Sequence, residues 1–193
     1  ASAEVLGFAF DRHALRNQIQ ALCFELDAPA RVRLLVSRSG ASALETAPVP
    51  PMLEEPAKVA ALPNPLDPSD WRLAHKTSDR GFYEDAVAAA RSLGAAEAVL
   101  VRADGLVTEG AWTNVFAEGP GGVLLTPPVN LGLLPGVLRG SLIAAGKEAG
   151  VPAVPGGGGS GDGDCRRDSA IAIALPPPRA AAAAARCRCL RPR

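Results

Sequence analysis

Three residues, taken in chain order, could do chemistry together. Lys76 sits in the run His75-Lys76-Thr77-Ser78-Asp79-Arg80. Glu109 follows 33 residues later in Val107-Thr108-Glu109-Gly110, and Gly136 opens Gly136-Val137-Leu138-Arg139. A lysine amine forms a Schiff base with an aldehyde. A carboxylate against a ring nitrogen keeps that nitrogen protonated, and the protonated ring then draws electrons from a neighbouring substrate carbon. Free N–H groups at a helix start, with the positive end of the helix dipole, suit a phosphate. Glycine there permits close backbone approach. The set fits an aldehyde cofactor bearing a phosphate, and pyridoxal phosphate is the usual partner of such a lysine. Each signal has a plainer reading: a solvated lysine, an exposed turn glutamate, an ordinary Pro-Gly helix entry. Their order and spacing favour the chemical one. The chain has only three lysines among 20 basic residues, so a lysine inside a motif carries more weight.

The flanking pattern supplies elements to position this set. Leu15, Ile19, Leu22 and Leu26 recur at helical spacing across 11–27, with Asp11 as N-cap and Pro29 beyond the end. Residues 31–38 read as a strand turned by Ser39-Gly40, 41–56 as a second strand or loop, and 58–62 as a further strand. Pro63, Pro65 and Pro68 disfavour helix and central strand alike and mark a linker. Beyond it the pattern predicts a helix over 82–93 closed by Gly94, and a buried strand over 98–101. Strands over 106–108 and 114–118 flank a turn containing Glu109-Gly110. A strand over 123–126 and a helix over 135–149 complete the series.

Composition narrows the classes. Hydrophobic content of 48% and charged content of 21% are those of an ordinary globular protein, and zero net charge argues against nucleic acid or an acidic membrane as partner. No apolar run approaches the roughly 20 residues that cross a bilayer. The first residues show no export signal, so the cytoplasm is expected, and the missing initiator methionine suggests a start further upstream. Cys23 falls in the helical pattern and is expected to be buried. No Cys/His spacing supports a metal site. From Gly156 onward the chain changes character: Gly156 to Gly159, Pro176 to Pro178, the alanine run from Ala180 to Ala185, arginine as the only basic residue and no aromatics. Such a tail has little to bury and is expected to be disordered, either as out-of-frame translation of a GC-rich gene or as a genuine flexible extension.

With these residues in view, the sequence resembles the class IV (fold type IV) pyridoxal-phosphate enzymes, which include branched-chain and D-amino-acid aminotransferases and 4-amino-4-deoxychorismate lyase. The likeness is densest in His75-Lys76-Thr77, Thr108-Glu109-Gly110, Asn114-Val115-Phe116, Leu125-Thr126-Pro127-Pro128 and Gly132 to Arg139. The run from His75 to Arg80, with Phe82-Tyr83-Glu84-Asp85 after it, looks most like the lyase domain fused to aminodeoxychorismate synthase component I. The resemblance implies a two-domain α/β fold of mixed α+β type with both domains incomplete: 1–63, 64–155, and the tail 156–193. It implies Lys76 as Schiff-base lysine and proton shuttle, and Glu109 as partner of the pyridine nitrogen. Asn114 and Gly136 would shape the pocket, and the N–H groups of Val137 and Leu138 would hold the phosphate. Many relatives carry threonine where Leu138 stands, so only main chain would serve here. Gly81 stands where some relatives place a tyrosine, and Tyr83 is left without a role. Arg33 faces either the substrate carboxylate or solvent. The early phosphate-binding arginine of the family would lie just upstream, and the closing strands of the family are replaced by the tail. The implied activity is lyase, giving 4-aminobenzoate and pyruvate, with transamination as alternative and an inert fragment without cofactor as the reading from another class. A homodimer, or a fusion behind a chorismate-binding domain, is the implied assembly.

Overall fold

A computed structural model describes residues 2–49, 58–118 and 124–148, together with strand segments 154–155 and 171–174. The chain divides into two compact units, Ala1–Pro51 and Met52–Arg193. The division falls ahead of the expected boundary at residue 63. The reason is that β3 (Val59–Pro63) pairs in parallel with β4 (Glu97–Val101), so it belongs to the second unit's sheet.

In the first unit, α1 (Ser2–Val5) precedes α2 (Arg12–Glu25). Asp11 caps α2 as its sequence signal predicts, accepting from the N–H groups of His13 and Ala14 at 2.8 and 2.9 Å. Strands β1 (Ala30–Val36) and β2 (Ser42–Pro48) form an antiparallel pair with Arg33 opposite Glu45. Leu15 is the buried residue of α2, whereas Cys23 is exposed. The expectation for Cys23 fails because it lies to the side of the stripe that carries Leu15, Leu22 and Leu26.

In the second unit β4 is the central strand of β3-β4-β5, parallel to β3 and antiparallel to β5 (Val107–Gly110). Helix α3 (Gly81–Ser92) lays Tyr83, Ala86, Val87 and Ala90 over this sheet, against Ala60, Ala98 and Leu100. Alanine suits both the helix and the close approach to the strands. Gly94, at φ +67°, takes the left-handed position after the helix, and Lys58 Nζ donates to the Leu93 carbonyl at 2.9 Å. A second sheet runs β8-β7-β6-β9 (Val154–Pro155, Leu124–Thr126, Asn114–Glu118, Ile171–Ala174). Helix α4 (Val137–Glu148) packs Leu138, Leu142 and Ile143 on Phe116 of β6. Full burial of Leu100 and Phe116 contributes roughly 2–3 kcal/mol each.

Two expectations change here. Glu109 lies within β5, and the turn is Gly110 to Thr113, closed by Gly110 N–H to the Thr113 carbonyl at 2.8 Å. Within the tail, Ile171–Ala174 forms β9, paired antiparallel with β6 from Asn114↔Ala174 to Ala117↔Ile171. These four residues complete a ladder that the open edge of β6 offers, so they are not free chain. The rest of the tail lies outside the described residues.

Candidate functional site

Lys76 occupies the loop between a 3-10 turn (Trp71–Leu73) and α3. Asp70 caps that turn, accepting from Arg72 N–H at 2.9 Å. The Arg72 side chain pairs with Asp70 at 2.7 Å and reaches Asp79 at 3.8 Å, so one guanidinium ties the chain before Lys76 to the chain after it. Hydrogen bonding from the Arg72 side chain holds the Asp70 carboxyl down at about 2. Lys76 itself stays accessible to solvent. Its proton affinity is nonetheless below that of an ordinary lysine. Partial desolvation is the main cause and the Arg80 guanidinium adds to it, while the negative charge of Glu109 opposes both. An amine that gives up its proton more readily is a better nucleophile and a better proton shuttle.

Glu109 is 2% exposed. Both of its oxygens are engaged: Oε1 accepts from the Tyr83 hydroxyl, and Oε2 accepts from Leu134 N–H at 3.1 Å. Burial pushes the carboxyl up to about 7, and these two donors, Lys76 and Arg80 act against that rise. Arg80, the N-cap residue of α3, donates to the Ala111 carbonyl at 2.9 Å. Its guanidinium lies 4.1 Å from the Trp112 ring centroid and 4.9 Å from that of Tyr83.

Asn114, the first residue of β6, donates from Nδ2 to the Leu134 carbonyl at 3.1 Å. Glu109 and Asn114 therefore grip the N–H and C=O of one residue, Leu134, and fix the loop that leads into α4. A Cβ at Gly136 would collide with the Asn114 amide oxygen. Gly132, at φ +82°, presses on the other side of the same loop, where a Cβ would come within 2.8 Å of Pro68 Cα. The first intrahelical bond of α4 is Gly140 N–H to the Gly136 carbonyl at 2.9 Å, so the N–H groups of Val137 and Leu138 precede the ladder. Leu138 turns its side chain onto Phe116, leaving main chain only. Arg139, in the same first turn, is buried and donates to Thr126 Oγ1 at 3.1 Å and to the Pro127 carbonyl at 2.8 Å. A buried cation adds to the positive end of the helix dipole instead of opposing it, which deepens the preference for an anion.

Among the residues read from the sequence, Glu109, Asn114 and Gly136 are brought together around Leu134, with Val137 and Leu138 directly after Gly136, and Lys76 is linked to Glu109 by the electrostatic influence of the carboxylate on its amine. Arg33 lies in the first unit and pairs with Glu45 at 3.2 Å, both side chains exposed. Tyr83 and Arg80 were given no role in the sequence. The signals for Tyr83 are its place in the run Phe82-Tyr83-Glu84-Asp85 and its being the sole tyrosine of the chain. No cluster of metal-binding side chains occurs among the described residues. An amine of lowered basicity, a buried carboxylate and uncommitted helix amides beside a glycine fit pyridoxal phosphate: aldehyde, ring nitrogen and phosphate each have a chemically matched group.

Comparison with known proteins agrees with this chemistry. Branched-chain-amino-acid aminotransferases of Salmonella typhimurium and Escherichia coli are 40% identical over 62 residues, which is 32% of this chain and 20% of theirs. The matched stretch thus spans a fifth of the length of those relatives. The solved structure of a Mesorhizobium loti protein assigned as an amino-acid aminotransferase superposes with a TM-score of 0.72 at 27% identity, covering 98% of this chain and 86% of that one. A structure assigned as a 4-amino-4-deoxychorismate lyase does so with a TM-score of 0.68 at 26% identity, covering 80% of this chain and 64% of that one. The profile of amino-transferase class IV matches residues 1–156, and the chain belongs to that family of pyridoxal-phosphate-dependent enzymes.

Proposed function

We propose that this chain carries the site of a 4-amino-4-deoxychorismate lyase, releasing pyruvate and leaving 4-aminobenzoate. The observation that carries the reading is the pair Lys76 and Glu109: a solvent-accessible amine made easier to deprotonate by partial desolvation and by Arg80, and a buried carboxyl held by the Tyr83 hydroxyl and Leu134 N–H. When bound, pyridoxal phosphate supplies a ring that draws electrons from the carbon beside the substrate nitrogen. Lys76 would anchor the cofactor and its amine would take up the proton from that carbon. Glu109 would be the partner of the ring nitrogen. The N–H groups of Val137 and Leu138 would hold the phosphate, and Asn114 with Gly136 would keep those groups in place. The form of the run from His75 to Arg80 supports lyase over transaminase, and the similarity to a lyase-assigned structure is compatible with it.

Transamination is the second reading, favoured by the 40% identity to branched-chain aminotransferases. The two part on products. Purified protein given aminodeoxychorismate should release pyruvate and 4-aminobenzoate. The same protein given branched-chain amino acids with 2-oxoglutarate should form no glutamate. Glutamate formation without pyruvate release would replace the lyase reading by the transaminase one, and absence of a borohydride-bleachable absorbance band would remove both. The same reading makes the working form cytoplasmic, and either a homodimer or a fusion behind a chorismate-binding domain. Sedimentation of the purified protein tests the dimer.

A further inference from the structure

Tyr83 lies two residues into α3 and is 2% exposed, with its ring on the sheet face and its hydroxyl on Glu109 of β5. A phenylalanine would fill the same apolar space, so packing explains the ring but not the oxygen. Burial of that hydroxyl without a partner would cost about 1–3 kcal/mol. Three neighbours fix its direction. The Arg80 guanidinium lies 4.9 Å from its ring centroid, the Phe82 ring packs at 4.0 Å, and the helix holds the backbone. The carboxylate is constrained in turn. With Leu134 N–H on Oε2 and the Tyr83 hydroxyl on Oε1, it cannot rotate without breaking a hydrogen bond.

We propose that Tyr83 is a positioning residue for the reaction: by donating to Glu109 Oε1 it holds this buried carboxylate in one orientation and in its anionic form. The inference rests on the reading that Glu109 pairs with the cofactor ring nitrogen, because a neutral or rotated carboxyl could not serve as that counter-ion. The physical conflict is visible at the site. Burial drives Glu109 toward the protonated state near neutral pH, and a protonated acid would leave the ring nitrogen without a negative partner. The groups that act against this are the Tyr83 hydroxyl from α3, Leu134 N–H from the loop before α4, Lys76 from its loop and Arg80 at the start of α3. The carboxyl of Glu97 on the neighbouring strand is engaged elsewhere, by Ala98 N–H at 2.9 Å and by the N–H groups of Ala111 and Trp112. Of the four opposing groups, Tyr83 is the only neutral side chain, so its removal changes the hydrogen bonding of Glu109 without changing the charge of the site.

The test uses the chain's single tyrosine. Labelling tyrosine with 13C at Cζ gives one resonance in the protein without cofactor. That resonance should titrate with a midpoint near 7 in the unsubstituted protein, following Glu109, and should be flat from pH 5 to 9 in Glu109→Gln. Tyr83→Phe should move the Glu109 midpoint, read as the difference in urea stability from Tyr83→Phe/Glu109→Gln across pH, upward by about one pH unit. It should also weaken pyridoxal phosphate binding about tenfold, followed by the cofactor's absorbance on titration. In the Glu109→Gln background it should weaken binding no further. A flat tyrosine resonance in the unsubstituted protein overturns the proposal even if Tyr83→Phe fails to fold. So does an unmoved Glu109 midpoint, or additive losses in the double variant. Failure of the unsubstituted protein to bind pyridoxal phosphate would count against the proposed function instead, because the resonance and stability titrations need no cofactor.

Discussion

Replacing Gly136 by alanine adds one methyl group where the loop holding Leu134 meets the start of α4. The sign of the effect is decided by a steric fact. Gly136 is not in the left-handed region, so backbone conformation alone would let alanine stabilise the fold by about 0.4–1 kcal/mol through a stiffer unfolded chain. The added Cβ, however, meets the Asn114 amide oxygen at a distance no packed atoms tolerate. Either Asn114 swings away and loses its 3.1 Å bond to the Leu134 carbonyl, costing about 1 kcal/mol, or the helix start shifts, at an overpacking cost of about 1–3 kcal/mol. The net expectation for Gly136→Ala is a loss of about 1–3 kcal/mol in urea unfolding, with pyridoxal phosphate bound at least about tenfold more weakly, because the Val137 and Leu138 N–H groups follow the displaced residue. Asn114→Ala alone should cost about 1 kcal/mol. The double variant Asn114→Ala/Gly136→Ala should be more stable than the two single losses predict, since removing the amide removes the obstacle. A Gly136→Ala protein as stable as the parent, or a double variant whose losses simply add, would refute the collision and with it the account of how this loop is held.

Further outcomes follow from the same site. Lys76→Ala should abolish the borohydride-bleachable absorbance band and lower turnover by at least about 100-fold, while leaving the unfolding free energy in urea within about 0.5 kcal/mol. Glu97 and Glu109 are both pushed up from 4.5 to about 7 by burial, so between these values the folded protein holds protons that the unfolded chain releases. Stability without cofactor should then be full below about pH 4.5, fall by up to roughly 3 kcal/mol per carboxyl as pH rises, and level off above about pH 7; equal urea midpoints at pH 5 and pH 8 would contradict this. Gly132→Ala combines a φ of +82° with a Cβ 2.8 Å from Pro68 Cα, and should destabilise by about 2–4 kcal/mol in the same assay. Arg33→Ala breaks an exposed cross-strand pair with Glu45 and should change stability in urea unfolding by no more than about 1 kcal/mol.

The candidate groups could be picked out along the chain because they sit in short local contexts. A lysine in a loop before an alanine-rich helix, a glutamate at a strand end and a glycine before a helix announce themselves through neighbours within a few residues. Asp11 as N-cap and Gly94 as helix stop were legible for the same reason: caps and turns are decided by adjacent backbone geometry. What the chain order could not disclose is which distant groups meet. The Tyr83–Glu109 bond spans 26 residues and the Leu134–Glu109 bond spans 25, and both exist only because α3 and the loop before α4 close on the end of β5. The exposure of Cys23, the place of Glu109 inside a strand rather than a turn, and the pairing of Ile171–Ala174 with β6 are likewise outcomes of packing. Residue type and spacing determined which groups this protein has available for its chemistry. Tertiary structure decided their proton affinities and orientations, because desolvation and hydrogen bonding depend on everything that surrounds a group and not on what precedes it in the chain.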